Sequence, residues 1–354
     1  MQLGIIGVPL VGKTTIFELL TGNRNRIYSS GKTNTAMAKV PDKRIDFLSS
    51  YFKPAKTTYA QLEVVDIPGL VPGAEKTAAI FLDAVRKADA LLHVVRVFAS
   101  SSVPVIGNEI NPIKDIENIK YELLLADLDL IEKRIERINS DKRKKQMLKE
   151  LELLEKLKEN LENEKPFSTM EFDAEEEEIV KRYQFLTNKP MLICLNVSEE
   201  DMLTRNYNGK EELFSYCSGN SLSIIELSAN IEKEISELEG QDRDVFLQEM
   251  GIEEAGIVRI ARTMYERLGL VSFFTVGEDE VKAWTIKKGT PAKEAAGKVH
   301  SDMERGFIRA EVVSFDDFKE LGSMTAVKEK GLLRLEGKEY QVKDGDIVHF
   351  RFNV

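Results

Sequence analysis

Residues 7 to 15, GVPLVGKTT, set two glycines, a lysine and two hydroxyls directly behind the apolar run LGII. Gly7, Gly12, Lys13 and Thr14 satisfy G-x-x-x-x-G-K-[ST]. In such a loop the glycines let the backbone curl so that successive N–H groups face an anion, the lysine neutralises β and γ phosphate oxygens, and the hydroxyl suits Mg²⁺. Pro9, Leu10, Val11, Gly12, Lys13, Thr14 and Thr15 are therefore candidate phosphate contacts, and Lys13 is a candidate for stabilising charge on a transferring phosphoryl group. A simple glycine turn is the alternative. Context argues against it: LGII is strand-like, TTIFELL is helix-like, and Gly22 is a natural helix stop.

A phosphate loop alone serves kinases, transporters and switches. The next discriminator is VVDIPGL, where a strand-like run ends at Asp66 and Gly69 follows three residues later. In switch NTPases an Asp there reaches Mg²⁺ and the glycine N–H senses the γ-phosphate, so Asp66 joins Thr14 as a candidate metal contact and Gly69 joins Lys13 as a candidate catalytic residue. Further on, LICLNVSEED places Asn196, Val197 and Glu199 at the end of an apolar strand, where parallel sheets present ligand contacts. Switch GTPases carry Asn-Lys-x-Asp here, and that Asp accepts two guanine hydrogens. The longer Glu199 fits this two-point contact poorly, and adenine, which offers neither hydrogen, is no longer excluded. The ligand is thus ATP or GTP. Ser228, Ala229 and Asn230, after the strand-like IIELSA, complete the candidate base contacts.

These residues need an α/β scaffold. Residues 2 to about 112 alternate short strand-like runs with helix-like segments, and PMLICLNV and IIELSA continue the rhythm later, as in a parallel sheet flanked by helices. Between them, from Asp115 to Leu161, apolar residues recur three or four apart, which predicts two long amphipathic helices broken near NSDKRKK. FDAEEEEIVKRYQFL begins another helix with Asp173 as N-cap. From Gly269 the texture changes: LVSFFTVG and EVKAWTIKKG read as a hairpin, TPAKEAAGKVH as a helix capped by Thr290 with Pro291 at its first position, and the C-terminal run as strands ending in a sheet.

Composition bounds the rest. At 354 residues the chain exceeds a single ordinary core of about 150 residues. Apolar residues at 42% and charged residues at 31% give a soluble balance, no run approaches a membrane span, and no targeting signal is visible, so a cytoplasmic location is expected. Cys194 and Cys217 are too few for a disulfide scaffold and wrongly spaced for zinc. A net charge of −10 argues against broad adhesion to DNA or RNA, leaving only local RNA contact, for which the basic stretch EKRIERINSDKRKKQMLK is the candidate; a solvated helix tip is the plainer reading of it.

With these motifs in place, the chain resembles the YchF / Obg-like ATPase family of phosphate-loop NTPases, through GVPLVGKTT, DIPGLVPGA, LADLDLIEKRIERI, LNVSEED, LSANIE and the long segment from EVKAWTIKKG to DGDIVHFRFNV. The resemblance implies a Ras-like nucleotide domain (residues 1–114 and 187–268), an inserted helical hairpin (115–186) and a C-terminal TGS domain of β-grasp fold (269–354). It also implies ATP binding, often in preference to GTP, and association with ribosomes. The chain departs from the family at Leu10, where the family carries an Asn associated with potassium stimulation, and in a shortened second switch, GLVPGAEKTAAIFL. The first switch's Mg²⁺-sensing residue falls among Ser30, Thr33 and Thr35. Leu70 stands where Ras-type enzymes orient water with Gln, and ASSSVPVIGNEINP lacks the histidine that the family is thought to use instead. His93, His300 and His349 read as packing or surface residues. The expected function is a slow Mg²⁺-dependent NTPase switch coupled to ribosome or translation-factor binding; the alternatives are a non-hydrolysing nucleotide-binding scaffold and, less compatible with the DIPG and NVSE elements, a small-molecule kinase.

Overall fold

The computed structural model describes all residues except 24–32, 72–74, 101–102, 105–109, 143 and 354. Its strands are β1 (Gln2–Ile6), β2 (Asn34–Lys39), β3 (Lys56–Thr58), β4 (Gln61–Asp66), β5 (Ala90–Arg96), β6 (Met191–Asn196), β7 (Ser223–Leu227), β8 (Leu270–Thr275), β9 (Glu280–Lys287), β10 (Phe307–Ser314), β11 (Arg334–Glu336) and β12 (Asp346–Phe352). They form two sheets, and the chain divides into two compact units: Met1–Ala36 with Glu63–Ile257, and Met37–Leu62 with Val258–Val354.

In the first unit the sheet order is β2-β4-β1-β5-β6-β7, and the run from β4 to β7 is parallel. A parallel strand covered on both faces reads as a continuous apolar run, and every residue of β5 is buried. All carboxyl ends of these parallel strands therefore lie on one edge of the sheet, and the phosphate loop leaves β1 at that edge. The helix Lys13–Thr21 begins after Gly12 and stops at Gly22, whose φ of 68° is a left-handed helix end. Its Ile16, Phe17 and Leu20 are buried. Truncating Phe17 to Ala would cost about 3–5 kcal/mol and loosen the loop's anchor.

The predicted long helices run over Pro112–Ser140 and Leu148–Glu162. Pro112 sits at the first position of the former, and Asn111 caps it by accepting from the Lys114 N–H. Ile131, Ile138, Leu151, Leu154, Leu157 and Leu161 share one core with Phe167 and Ile179, so the two apolar stripes face each other. Register is fixed by Arg134, which donates to both oxygens of Glu150 at 2.9 and 3.0 Å while Tyr183 donates to the same carboxylate. Midway along the first helix the buried Asp127 accepts from the Leu186 N–H, the Thr187 N–H and the Thr187 hydroxyl, which ties the returning chain down. The acidic helix Ala174–Tyr183 opens with a full capping box from Asp173 and Glu176.

In the second unit the sheet order is β11-β10-β12-β8-β9-β3. The β8–β9 hairpin is antiparallel, as its alternation predicts. The helix Ala292–Val299 packs Ala292, Ala295 and Ala296 into a core with Phe273, Ile286, Val312 and Phe350, small residues letting it approach the sheet. It starts one residue later than the sequence predicts. The Thr290 hydroxyl closes the preceding turn on the Lys287 carbonyl at 2.6 Å, and Pro291 is extended at the cap position. Residues 37–62 belong to this unit although they lie within the N-terminal α/β rhythm, because β3 hydrogen-bonds in parallel to β9. From this segment Phe47 meets Phe315 edge to face and Phe52 stacks on Phe318. Among the described residues no helix is long and apolar enough to cross a membrane.

Candidate nucleotide-binding site

The phosphate loop is held in a curled form by its own covalent restrictions. Leu10 takes φ 65° and Gly12 φ 99°, so the N–H groups of the loop converge instead of alternating. Gly12 cannot be replaced cheaply: a Cβ there would stand 2.5 Å from the Asn196 amide nitrogen. Leu10 has no such freedom. Its left-handed backbone costs about 1–2 kcal/mol, and its side chain is 50% exposed.

Lys13 and Thr14 start the following helix with side chains directed to different tasks. The Lys13 ammonium is only 8% exposed and donates to the Val8 carbonyl at 2.8 Å. Burial pushes its pKa down to about 8, partly offset by the nearby Asp66 carboxylate. The register Ile5↔Asp66 places Asp66 at the carboxyl end of β4, where the Thr14 hydroxyl donates to it at 2.9 Å. Burial raises the Asp66 pKa, opposed by bonds from Thr14 and Asn34 and by the charge of Lys13. Two hard oxygen donors in one hydrogen-bonded pair, beside a cradle of N–H groups, fit Mg²⁺, which takes one or two protein ligands and draws the rest from phosphates and water.

Gly69 lies against the same loop. A Cβ on it would meet Pro9 N at 2.7 Å, and the next residue's N–H donates to the Gly7 carbonyl at 3.3 Å. The Leu70 side chain is 2% exposed in a core with Ile6, Ile67 and Phe81. It is thus turned away from any water at the phosphates.

At the other end, Asn196 is the hinge pin. It is 4% exposed, donates its amide to the Val11 carbonyl at 3.0 Å and accepts from the Ala229 N–H at 3.1 Å. One side chain therefore braces the phosphate loop against the loop after β7. Ser228 is buried at the head of the helix Ala229–Glu237, Val197 is buried beside it, and the exposed Asn230 donates to Glu199 at 2.9 Å. Thr15 is half-buried in the first turn after the loop. Two groups result: Lys13, Thr14, Asp66 and Gly69 at the loop after β1, and Glu199, Ala229 and Asn230 beyond the ends of β6 and β7, joined through Asn196.

The amino-terminal half matches the family of 50S ribosome-binding GTPases over residues 2–170, and the carboxyl-terminal part matches the YchF-type GTPase C-terminal family, described as of unknown function, over residues 270–353. The ribosome-binding ATPase YchF of Bacillus subtilis is 43% identical, with 99% of both chains covered, and that of Escherichia coli O157:H7 is 39% identical at the same coverage. The chain belongs to the YchF family. The solved Schizosaccharomyces pombe YchF GTPase matches with a TM-score of 0.89 at 31% identity, over 99% of this chain and 97% of that one. The chain is thus a P-loop NTPase of YchF architecture throughout its length.

Sequence reasoning missed one residue in this site. Asn34 at the start of β2 contacts Asp66, whereas Thr33 and Thr35 are exposed and Ser30 lies outside the described residues. An asparagine between two threonines carries no spacing signal of its own. His93, read from the sequence as a packing or surface residue, packs in the core: it lies in β5 opposite Ile6, fully buried, with both ring nitrogens unpartnered among the described residues. Burial and the Lys13 charge hold its pKa down at about 3, so the ring is neutral. Of the second switch, residues 72–74 lie outside the described residues, as does part of the loop 99–112.

Proposed function

We propose that this YchF protein is a cytoplasmic, Mg²⁺-dependent ATPase whose nucleotide state controls binding to the ribosome. The names of its relatives point to ATP and to the ribosome. The observation that carries the reading is the joint placement of Thr14 and Asp66 at 2.9 Å beside the buried Lys13. In this reading Lys13 leaves the Val8 carbonyl for the β and γ phosphates. The loop amides from Pro9 to Thr15 cradle the same oxygens, Gly69 presents its N–H to the γ-phosphate, and Thr14 with Asp66 hold the ion, which neutralises charge on the phosphates when bound. Asn196, Val197, Glu199, Ser228, Ala229 and Asn230 surround the purine. Turnover is slow, because the buried Leu70 cannot orient water and charge stabilisation carries the step.

For the ribosome, the local RNA contact is read onto the tip between the two long helices. There Arg137, Lys142 and Lys145 are exposed and form no ion pair among the described residues, whereas Lys133 and Lys149 are paired with carboxylates. Unpaired cations are the ones that can release counterions from RNA. The residues 115–186 then serve as a projecting hairpin, and 269–354 as a TGS domain of β-grasp type.

The test is phosphate release from ATP by purified protein with Mg²⁺, with and without ribosomes, beside a Lys13→Ala control. Release above the control, together with ribosome co-sedimentation that depends on nucleotide, is expected. The alternative of a non-hydrolysing nucleotide-binding scaffold is favoured by Leu70 and by the absence of histidine from residues 99–112. It would be adopted if ATP binds while release equals the control.

A further inference from the structure

The purine-facing groups do not form the pattern that guanine needs. Guanine presents a carbonyl, O6, which requires a donor, and two hydrogens on N1 and N2, which require both oxygens of one carboxylate. The Ala229 N–H, placed to meet a base carbonyl, is engaged by the Asn196 side-chain oxygen at 3.1 Å. One oxygen of Glu199, Oε1, is engaged by the Asn230 amide at 2.9 Å. Among the described residues, Glu199 Oε2 and the Asn230 side-chain oxygen have no hydrogen-bond partner, so the side-chain atoms left for the base edge are acceptors. Such an edge matches the amino group of adenine and meets the O6 of guanine with like charge.

We infer that Asn230 is a specificity-determining residue: by holding Glu199 through one carboxylate oxygen it leaves a single carboxylate oxygen for the base instead of the pair that guanine's two hydrogens require, favouring the adenine edge. The inference rests on the nucleotide-site reading above. The mechanism is positional, since Asn230 acts through Glu199. Glu199 stands at the first position of the helix Glu199–Thr204, and Ser198 caps that helix by accepting from the Asp201 N–H. The carboxylate's backbone is therefore fixed, and its rotamer is what Asn230 selects. Asn230 is exposed, and its removal leaves no buried group unsatisfied.

The experiment compares ATP, GTP and ITP binding to the full chain by calorimetry, using wild type, Asn230→Ala and Asn230→Gln. ITP is GTP without the N2 amino group, so the GTP-to-ITP ratio reads whether the second carboxylate oxygen is free. Wild type is expected to prefer ATP and to bind GTP and ITP within about twofold of each other. Asn230→Ala is expected to separate GTP from ITP by about fivefold in favour of GTP and to narrow the ATP preference by a similar factor. Asn230→Gln, which keeps the donor, should restore the wild-type pattern. A GTP-to-ITP ratio unchanged by Asn230→Ala overturns the inference while leaving the nucleotide site standing. Failure of wild type to bind any of the three would instead remove the nucleotide-site reading.

Discussion

The Lys13 ammonium gives the sharpest test of how this site is built. It is buried against a neutral carbonyl, and its pKa falls from the ordinary 10.5 to about 8. At about 1.36 kcal/mol per pH unit, the drop corresponds to about 3 kcal/mol by which folding disfavours the charged lysine. Replacing it with the similarly shaped methionine removes that penalty but also the bond to Val8, worth about 1 kcal/mol. Lys13→Met should therefore stabilise the nucleotide-free protein by about 2 kcal/mol at neutral pH while abolishing phosphate release. The sign follows from proton counts. Between about pH 8 and 10.5 the unfolded lysine holds a proton that the folded one has lost, so wild-type stability rises across that window and the variant's advantage shrinks to nothing above it.

Ligand reverses the order. At a hundredfold excess over its dissociation constant, Mg-ATP adds about 2.7 kcal/mol to the wild type and nothing to a variant that cannot bind it. The assay is native-state hydrogen exchange of the β1 amides, because the single tryptophan, Trp284, lies in the other unit and its fluorescence serves as a control that should stay constant. A methionine variant less stable than wild type without nucleotide at pH 7.5, or an advantage that persists at pH 10.5, would refute the reasoning.

Asp66→Asn should weaken apparent Mg²⁺ affinity in ATP binding by about 10–100-fold, read by magnesium titration. Because burial raises the Asp66 pKa, the metal requirement of the wild type should begin to fail on acidification above the ordinary carboxylate value of 3.8. Leu10→Asn should raise stability by about 1 kcal/mol, because asparagine tolerates the left-handed backbone at φ 65°; urea midpoints check it, and an unchanged or lowered midpoint counts against strain at this position. His93→Leu should remove an acid sensitivity. As pH falls from 6.5 toward 3 the unfolded imidazole takes a proton that the folded one refuses, so by pH 5 the variant should gain about 2 kcal/mol on the wild type relative to pH 8, measured by thermal midpoints at the two pH values.

The parts of this molecule that sequence makes legible are those whose geometry is local. Loop curvature follows from Gly7 and Gly12, the helix stop from Gly22, and the capping box from Asp173 and Glu176 three residues apart. Strand type in the core follows from apolar runs such as MLICL in β6. What escapes is pairing between residues far apart in sequence. The three residues of β3 carry no signal that they will join β9, more than two hundred positions later, and with them goes the assignment of residues 37–62. The Asn34 contact to Asp66 and the Asn230 contact to Glu199 fail for the same reason: each is a polar pair whose members are individually unremarkable. Thr290 shows a local failure, where two roles competed for one hydroxyl and the turn won over the cap.

Asn196 decides how the two halves of the site act on each other. Its side chain makes two hydrogen bonds in a buried setting, one to the phosphate loop and one to the base-side loop, so displacing either loop leaves an unsatisfied buried group at a cost of about 1–3 kcal/mol. The phosphate loop and the loop after β7 are therefore coupled through one buried side chain, and the former keeps its curl at Leu10 despite the strain. An anion meets N–H groups that are already convergent, so little reorganisation remains for the moment of phosphoryl transfer. With Leu70 turned into the core, the proposed mechanism leaves that preorganised charge as the chain's main contribution to the barrier, and a single donor of this kind is worth about 10²–10³ in rate.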